Sequence, residues 1–196
     1  MGQKAEALAD MPTAEQLRQE LNREESKLRG RAALRGLMSL LLTVAAASVL
    51  IAMLWMPVLR IYGTSMLPGL MEGDVVVCVK TGTLKPGELA AFYVGNQLLV
   101  KRCIAGPGQW VDMDAEGNVF VDGKPLEEPY LTEKSFGECD LELPYQVPEN
   151  RWFCMGDNRA VSLDSRHSSV GCVSREQLVG KLLLRVWPLY RFETLM

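Results

Sequence analysis

The chain has 196 residues, of which 48% are hydrophobic and 23% charged, and its formal net charge is −3 at pH 7. This length allows one modest domain with appendages, and the slightly acidic balance argues against a nucleic-acid partner. The chain carries a single histidine and no C-x-x-C spacing, so neither a metal site nor a bound cofactor is expected.

The five cysteines are spread along the chain, and several lie in apolar runs: Cys78, Cys103, Cys139, Cys154 and Cys172. In such runs a cysteine usually packs as a small buried hydrophobic residue. The sequence therefore does not lead us to infer a disulfide framework, and the odd count leaves one or more thiols free if the domain is extracytoplasmic.

Residues 1–35 form a polar segment for which we predict a helix. Thr13 and Gln16 fit a capping box, which would start the helix near Ala14. The leucines of this segment form only a partial apolar stripe, which favours a solvated helix over a helix that binds a partner.

Residues 36–59 carry no charged side chain and predict a membrane anchor. A helix of about 24 residues rises roughly 36 Å, which is enough to cross the hydrocarbon core of a bilayer with some tilt. A buried soluble helix is rarely apolar all round for so long, and a cleavable secretory signal has a shorter apolar core and a shorter polar leader. We therefore expect a retained anchor.

The charges that flank this segment predict its orientation. Lys27, Arg29, Arg31 and Arg35 precede it with no acidic residue among them, whereas Arg60 stands almost alone beyond its other end. Basic residues concentrate on the cytoplasmic side of membrane proteins. We predict a single-pass protein of the cell membrane, with its N-terminus in the cytoplasm and residues 60–196 on the extracytoplasmic side.

After the anchor, short β-like runs alternate with turn residues such as Gly95-Asn96, Glu116-Gly117 and Asp122-Gly123. The predicted strands are Asp74–Lys80, Glu88–Val94, Gln97–Ile104, Trp110–Asp114, Asn118–Val121, Trp152–Met155 and Leu178–Trp187. A short helical turn is possible at Ser174–Leu178, and Glu127–Asn150 reads as a loop excursion. Residues 60–196 are therefore predicted to form one mainly β domain that is large enough to bury its own core.

A serine and a lysine in this domain are candidates for nucleophilic chemistry. Ser65 lies a few residues beyond the anchor, and a serine hydroxyl needs a base to become a good nucleophile. His167 sits among serines in a predicted loop and is better interpreted as a surface residue. Lys101 shares one strand face with Leu99 and Cys103, and burial there would lower its pKa towards a neutral amine. The alternatives are that Lys101 extends to water and that the turn at Ser65 only reverses the chain.

A third candidate element is the polar block Gly156–Arg166, which directly follows an apolar run. Its density of charged and small residues suggests a hydrogen-bonded cluster against the core. Asp157 or Asp164 could pair with Arg159 or Arg166. The alternative is a solvated loop, the more common structure of such runs.

Together these segments resemble the type I signal peptidases, membrane-bound serine–lysine proteases that remove secretory signal peptides. The resemblance covers the chain from the anchor to about Phe192. It rests on the order and spacing of Ser65-Met66-Leu67-Pro68, Gly73-Asp74-Val75-Val76, Lys101-Arg102-Cys103-Ile104 and Gly156–Arg166. It implies a mainly β fold, with a single N-terminal transmembrane helix followed by a domain of coiled antiparallel sheets.

The resemblance also implies residue roles. Ser65 would be the nucleophile, with its backbone N–H donating to the oxyanion, and Lys101 would be the general base. Ser162 would orient the lysine amine, and the remaining supporting residues would be Asp157, Arg159, Asp164 and Arg166. The residues implied to line the substrate site are Ile61, Gly63, Met66, Leu70, Leu99 and Val100.

The implied substrates are secretory preproteins, bound in extended form at the bilayer and cut after small residues of the Ala-x-Ala type. Two alternatives stay open: a serine–lysine protease with one dedicated client such as a pilin, and a catalytically silent binding domain on a membrane anchor. The chain departs from the family pattern at Gly63, where many members carry a hydroxyl that gives a second oxyanion contact. It also differs at the turn Ala105–Gln109 and in the longer stretch 167–171.

Overall fold

The computed structural model describes residues 14–195. Helix α1 (Ala14–Trp55) contains the described part of the predicted helical segment, and Thr13 of the proposed capping box lies outside the described residues, as do residues 1–12. It ends at Trp55, before the predicted end of the anchor, because Pro57 lacks an N–H and disfavours helical backbone in the residue before it. By length and composition, Leu21–Trp55 is a candidate membrane span.

Twelve strands follow α1 in the described chain. They are β1 (Val58–Arg60), β2 (Val75–Val79), β3 (Leu89–Val94), β4 (Gln97–Ala105), β5 (Trp110–Met113), β6 (Val119–Val121), β7 (Lys124–Pro125), β8 (Tyr145–Gln146), β9 (Arg151–Met155), β10 (Val173–Ser174), β11 (Leu178–Trp187) and β12 (Glu193–Thr194). A short 3-10 helix, Leu189–Arg191, precedes β12.

The strands form two antiparallel sheets. The large sheet has the order β1-β2-β11-β3-β4-β9-β10, with β12 paired to β11, and the small sheet has the order β7-β6-β5-β8. The entire small sheet is inserted in the chain between β4 and β9. The predicted fold class, an N-terminal apolar helix followed by mainly antiparallel β structure, is confirmed.

All seven predicted strands are present, with small differences at their ends. The turn residues also behave as predicted, since Gly95 adopts φ 56° and Asp122 and Gly123 adopt φ 52° and 74°. Sequence patterns missed β1, β7, β8, β10 and β12, which have two or three residues each and are too short to show the period-two alternation of a strand. Within Glu127–Asn150, the predicted loop, β8 is the only regular element.

Strand β4 lies between two apolar layers of the domain. Leu99 and Cys103 belong to a cluster built with β3 and β9, whereas Val100 packs on a second cluster that includes Met66 and Leu70. Residues between these two layers are screened from water on both sides. This position of β4 decides the environment of Lys101.

Candidate active site

A compact turn after β1 presents Ser65. Leu67 N–H donates to the Thr64 carbonyl at 3.2 Å, and Leu70 N–H donates to the Met66 carbonyl at 2.9 Å. The Met66 and Leu70 side chains are buried in the core and hold the turn from below. Ser65 itself is half-buried, so its hydroxyl lies at the boundary between the core and the surface.

Lys101 is buried in the middle of β4, with 2% of its surface exposed. It does not extend to water, because β3 pairs with it at Ala90 and the polar block covers its amine. Lys101 Nζ donates to Ser162 Oγ at 2.9 Å. Burial lowers the pKa of Lys101 to about 8, against the opposing effect of the Asp164 carboxylate. Near neutral pH, a larger fraction of this amine is therefore neutral than for an exposed lysine.

Gly156 is the point at which the serine turn and Ser162 meet. A Cβ atom at Gly156 would lie 2.6 Å from the Ser65 carbonyl oxygen and closer still to Ser162 Oγ. Asn158 N–H donates to the same Ser65 carbonyl at 2.9 Å, and Asn158 Nδ2 donates to the Thr64 carbonyl at 3.2 Å. The segment directly after β9 thus holds the Ser65 turn against Ser162, the hydrogen-bond partner of Lys101.

Among the described residues, no hydrogen bond joins Ser65 Oγ to Lys101 Nζ. Hydrogen bonds between catalytic groups are often long in a free enzyme and shorten when substrate binds. The Ser65 N–H donates to no other described residue. Both the hydroxyl and the backbone N–H of Ser65 are thus available to a bound molecule.

Asp164 and Arg166 form the buried ion pair beneath the lysine. Arg166 Nε and a terminal nitrogen each donate to the Asp164 carboxylate at 2.9 Å, and Gly156 N–H donates to it at 2.9 Å. Burial raises the pKa of Asp164, but the hydrogen bonds and the charge of Arg166 outweigh it, so that the net shift is downward. Asp164 therefore remains a carboxylate in the core, in one of the predicted pairings.

The other two charged residues of the block have partners outside it. Asp157 pairs with Arg102 at 2.6 Å, and Arg159 pairs with Glu128. Tyr130 stacks on Arg102, with the guanidinium carbon 3.9 Å from the ring centre. The block is thus buried by partners from β4 and from the 127–150 loop, and the alternative of a solvated loop is wrong.

Sequence reasoning missed four residues of this network: Arg102, Glu128, Tyr130 and Asn158. Arg102 adjoins Lys101 and Asn158 lies inside the polar block, so their proximity to candidate residues was a usable signal. Glu128 and Tyr130 lie in the predicted loop, where nothing local distinguishes them from solvated residues. Within residues 14–195, no group of three or more His, Cys, Asp or Glu side chains is placed to hold a metal ion.

A cleft of about 450 Å³ opens beside Ser65. Five of the six predicted substrate-site residues line it: Ile61, Gly63, Met66, Leu99 and Val100. Leu70 does not, because it is fully buried in the core beneath the serine turn. The remaining lining residues are Val58, Leu59, Arg60, Tyr62 and Leu98, so the walls come from β1, the serine turn and β4.

Both walls of this cleft offer unpaired strand edges in the described chain. Strand β1 is the terminal strand of the large sheet. Strand β9 pairs with β4 only over Arg102–Ala105, so that Gln97–Val100 has no strand partner on its β9 side. An extended peptide could therefore hydrogen-bond to backbone groups on either wall.

The family model described as "Signal peptidase, peptidase S26" matches residues 34–187. The chain is 34% identical over 153 residues to "Signal peptidase IB" of Staphylococcus aureus (strain COL), a match that covers 68% of this chain and 78% of that protein. It is 34% identical over 155 residues to "Signal peptidase I" of Bacillus licheniformis, with 72% of this chain and 82% of that protein covered. A crystal structure of a signal peptidase I from Enterococcus faecalis V583 matches with a TM-score of 0.44 at 26% identity, and covers 51% of this chain and 97% of that chain.

Proposed function

Because the chain belongs to the signal peptidase family, peptidase S26, we propose that it cuts secretory preproteins with Ser65 as nucleophile and Lys101 as general base. The predicted family is confirmed, and with it an enzyme that removes signal peptides. The catalytic pair and a preference for Ala-x-Ala sites are the proposed part. One observation carries the pair: a buried amine with a lowered pKa, bonded to Ser162 beside the Ser65 turn.

In the first proposed step, the neutral amine of Lys101 takes the proton of Ser65 Oγ as the oxygen attacks the scissile carbonyl carbon. The Ser65 N–H donates to the oxyanion of the tetrahedral intermediate. Lys101 then gives its proton to the departing amine, which leaves an acyl-enzyme ester on Ser65. Water, deprotonated by Lys101, hydrolyses that ester and regenerates both side chains.

The supporting residues hold the Lys101 side chain in position and do not themselves act as the general base. The Ser162 hydroxyl accepts from Lys101 Nζ and fixes its position along β4. Asp164 accepts hydrogen bonds from Arg166 and from Gly156 N–H, so its carboxylate holds the polar block together. Asp157 and Arg159 do the same through Arg102 and Glu128.

The cleft accounts for the proposed preference for small residues. Its walls near Ser65 are apolar side chains, notably Ile61, Met66 and Val100, and its volume of about 450 Å³ has to hold several residues of an extended peptide. A bulky side chain next to the scissile bond would meet buried atoms of the core. Small residues at those positions fit without rearrangement.

The bilayer is the second proposed partner. Helix α1 would anchor the protein with its N-terminus in the cytoplasm, in agreement with the basic residues before its apolar half. Large apolar side chains are also exposed near the C-terminus, namely Trp187, Leu189, Tyr190 and Phe192. Aromatic side chains of this kind are favoured at the interface between lipid and water.

The proposed specificity can be tested with a purified preprotein and the whole chain in detergent. We expect one cut after Ala-x-Ala, identified by the mass of the released mature protein. A matched substrate with phenylalanine in place of the alanine before the cut should be processed at least about 100-fold more slowly. Equal rates for both substrates would contradict the small-residue preference, and failure to cut any preprotein except one client would favour the dedicated protease.

The pH profile tests the lysine as base. Only the neutral amine accepts a proton, so kcat/KM should rise about tenfold per pH unit below the lysine pKa and level off above about 8. The measurement uses an uncharged peptide substrate between about pH 6 and about pH 10, since a substrate without ionisable groups leaves the enzyme as the source of the profile. A rate that is flat from mildly acidic to alkaline pH would show that Lys101 is not the base.

A further inference from the structure

Two of the cysteines face each other across the strand pair that carries the site. Cys103 on β4 lies directly opposite Cys154 on β9 in the antiparallel register. Both are fully buried, and both belong to the same apolar cluster. Their positions are therefore fixed by the pairing of two central strands of the large sheet.

The backbone N–H and carbonyl groups of Cys103 and Cys154 form hydrogen bonds with other residues and not with each other. Cys103 N–H donates to the Glu88 carbonyl at 2.9 Å, and Gly87 N–H donates to the Cys103 carbonyl at 2.8 Å. Cys154 N–H donates to Ser165 Oγ at 2.9 Å, and Ser165 N–H donates to the Cys154 carbonyl at 3.0 Å. Neither residue uses its backbone to bond the other, so this is a non-hydrogen-bonded pair.

In such a pair the Cα atoms are about 4.5 Å apart and the side chains are closest. That separation lies inside the range of roughly 4.4 to 6.8 Å found for disulfides. Both cysteines carry free thiols in this structure. A hydrogen bond with the Cys103 thiol, and after it burial, raises the pKa of Cys154 well above its ordinary value.

We propose that Cys103 and Cys154 form a disulfide when the domain folds in an oxidising compartment, which rests on the extracytoplasmic location proposed above. The oxidant would be a disulfide-bearing molecule, small or protein. One cysteine thiolate attacks an oxidant sulfur and releases one oxidant thiol. The second cysteine attacks the resulting mixed disulfide and releases the other, so two protein thiols become one disulfide and the oxidant gains two thiols.

The burial of both thiols determines the stage of folding at which the disulfide can form. Neither thiol reaches solvent in the folded domain, and a raised pKa keeps Cys154 from reacting as a thiolate. The exchange therefore takes place before β9 closes against β4. The same burial protects the bond from reduction once the sheet is complete.

The disulfide would constrain both the large sheet and the small sheet that is inserted in it. Cys103 is two residues from Lys101, and Cys154 is two residues from Gly156. The disulfide would therefore join β4, which carries Lys101, to β9, which is followed by the polar block. The chain between the two cysteines contains the entire small sheet, β5 to β8. The link would therefore close the base of this insertion, and closing so long a loop restricts the unfolded chain strongly.

The first test is chemical and does not depend on cleavage activity. The whole chain, made in a cell that inserts it into its membrane, is denatured with N-ethylmaleimide present and digested with trypsin without reductant. Each cysteine lies in a separate tryptic peptide; the peptide with Cys103 begins at that residue after Arg102, and the peptide with Cys154 begins at Trp152 after Arg151. We expect these two peptides joined, lighter than their sum by two hydrogen atoms. Modification of both thiols by the maleimide, or linkage of either to another cysteine, would overturn the proposal.

The second test measures stability in detergent. Urea unfolding is followed with and without dithiothreitol, which reaches buried sulfurs through the unfolded state. The wild type should have a lower urea midpoint in the reductant, whereas C103V/C154V should show the same midpoint in both conditions. Cys139→Ser, which removes a thiol outside the pair, should respond as the wild type does. A wild-type midpoint that is insensitive to reductant would refute the disulfide, even if the double variant failed to fold.

Discussion

Replacing Lys101 with methionine is expected to abolish cleavage and at the same time to stabilise the protein. Loss of the base should lower kcat/KM by about 10⁴-fold or more, as for other catalytic units of this kind. Methionine fills the same volume in the apolar layer without a charge. The measurement is cleavage of the preprotein by the variant beside Lys124→Met, which changes an exposed lysine of β7 and should retain full activity.

The stabilisation follows from the lowered pKa. Burial lowers the pKa of Lys101 from 10.5 to about 8. Folding at neutral pH therefore costs free energy, because the ammonium group must either be buried with its charge or lose its proton. This penalty is fully present below about pH 8 and disappears as the pH rises through about 10.5. Lys101→Met should therefore raise the free energy of unfolding by as much as about 3 kcal/mol at pH 7, and by less at pH 10.

Ser65→Ala should cause a loss of activity as large as that of Lys101→Met, and the double variant should be no worse than either single variant. Residues that act as one catalytic unit show such non-additive losses. Circular dichroism and urea unfolding would show that each variant is folded. Activity within tenfold of the wild type in either single variant would refute the proposed pair.

Gly156→Ala is expected to damage the site through the backbone alone. The new methyl group would overlap Ser162 Oγ and lie 2.6 Å from the Ser65 carbonyl oxygen, so the hydroxyl that positions Lys101 and the turn that carries Ser65 would have to separate. Displacements of this size cost about 100-fold in rate or more. We expect that loss mainly in kcat, together with about 1 to 3 kcal/mol of stability from overpacking.

Gly106→Ala provides the matched control for this prediction. Gly106 is also a buried glycine next to β4, but the atoms nearest to an added methyl group are 3.7 and 4.0 Å away, which is ordinary contact. Its activity should stay near that of the wild type. A Gly156→Ala enzyme as active as Gly106→Ala would show that the close approach around Gly156 does not position the catalytic groups.

The longer elements of this chain were predictable because their signals are local. The uncharged run 36–59 predicts a helix without help from the rest of the chain, and valine-rich or alternating runs bounded by glycine turns predict the longer strands. The predicted anchor differs from α1 only at its end, where Pro57 stops the helix. The burial of Lys101 could be proposed for the same reason, since the apolar residues around it lie in its own strand.

The partners of the polar block could not be predicted in this way. Arg159 pairs with Glu128 and Asp157 with Arg102, contacts that join segments far apart in the chain and depend on the folded sheets. A charge pattern cannot tell a buried arginine from a solvated one when its partner lies in another segment. The position of Leu70 differs from its prediction for a related reason, because which face of a turn meets the core is decided by packing.

The position of the single histidine affects how this protein could be inhibited. His167 is partly exposed, contacts Ser169 and Asp140, and takes no part in the network around Lys101. Haloketone reagents inactivate many serine proteases by alkylating a catalytic imidazole, and under the proposed mechanism with Lys101 as base they would have no such target here. An inhibitor would instead bind the apolar cleft and present an electrophile to the Ser65 hydroxyl. Serine proteases with a histidine base also react with such electrophiles, so selectivity would have to come from contacts in the cleft.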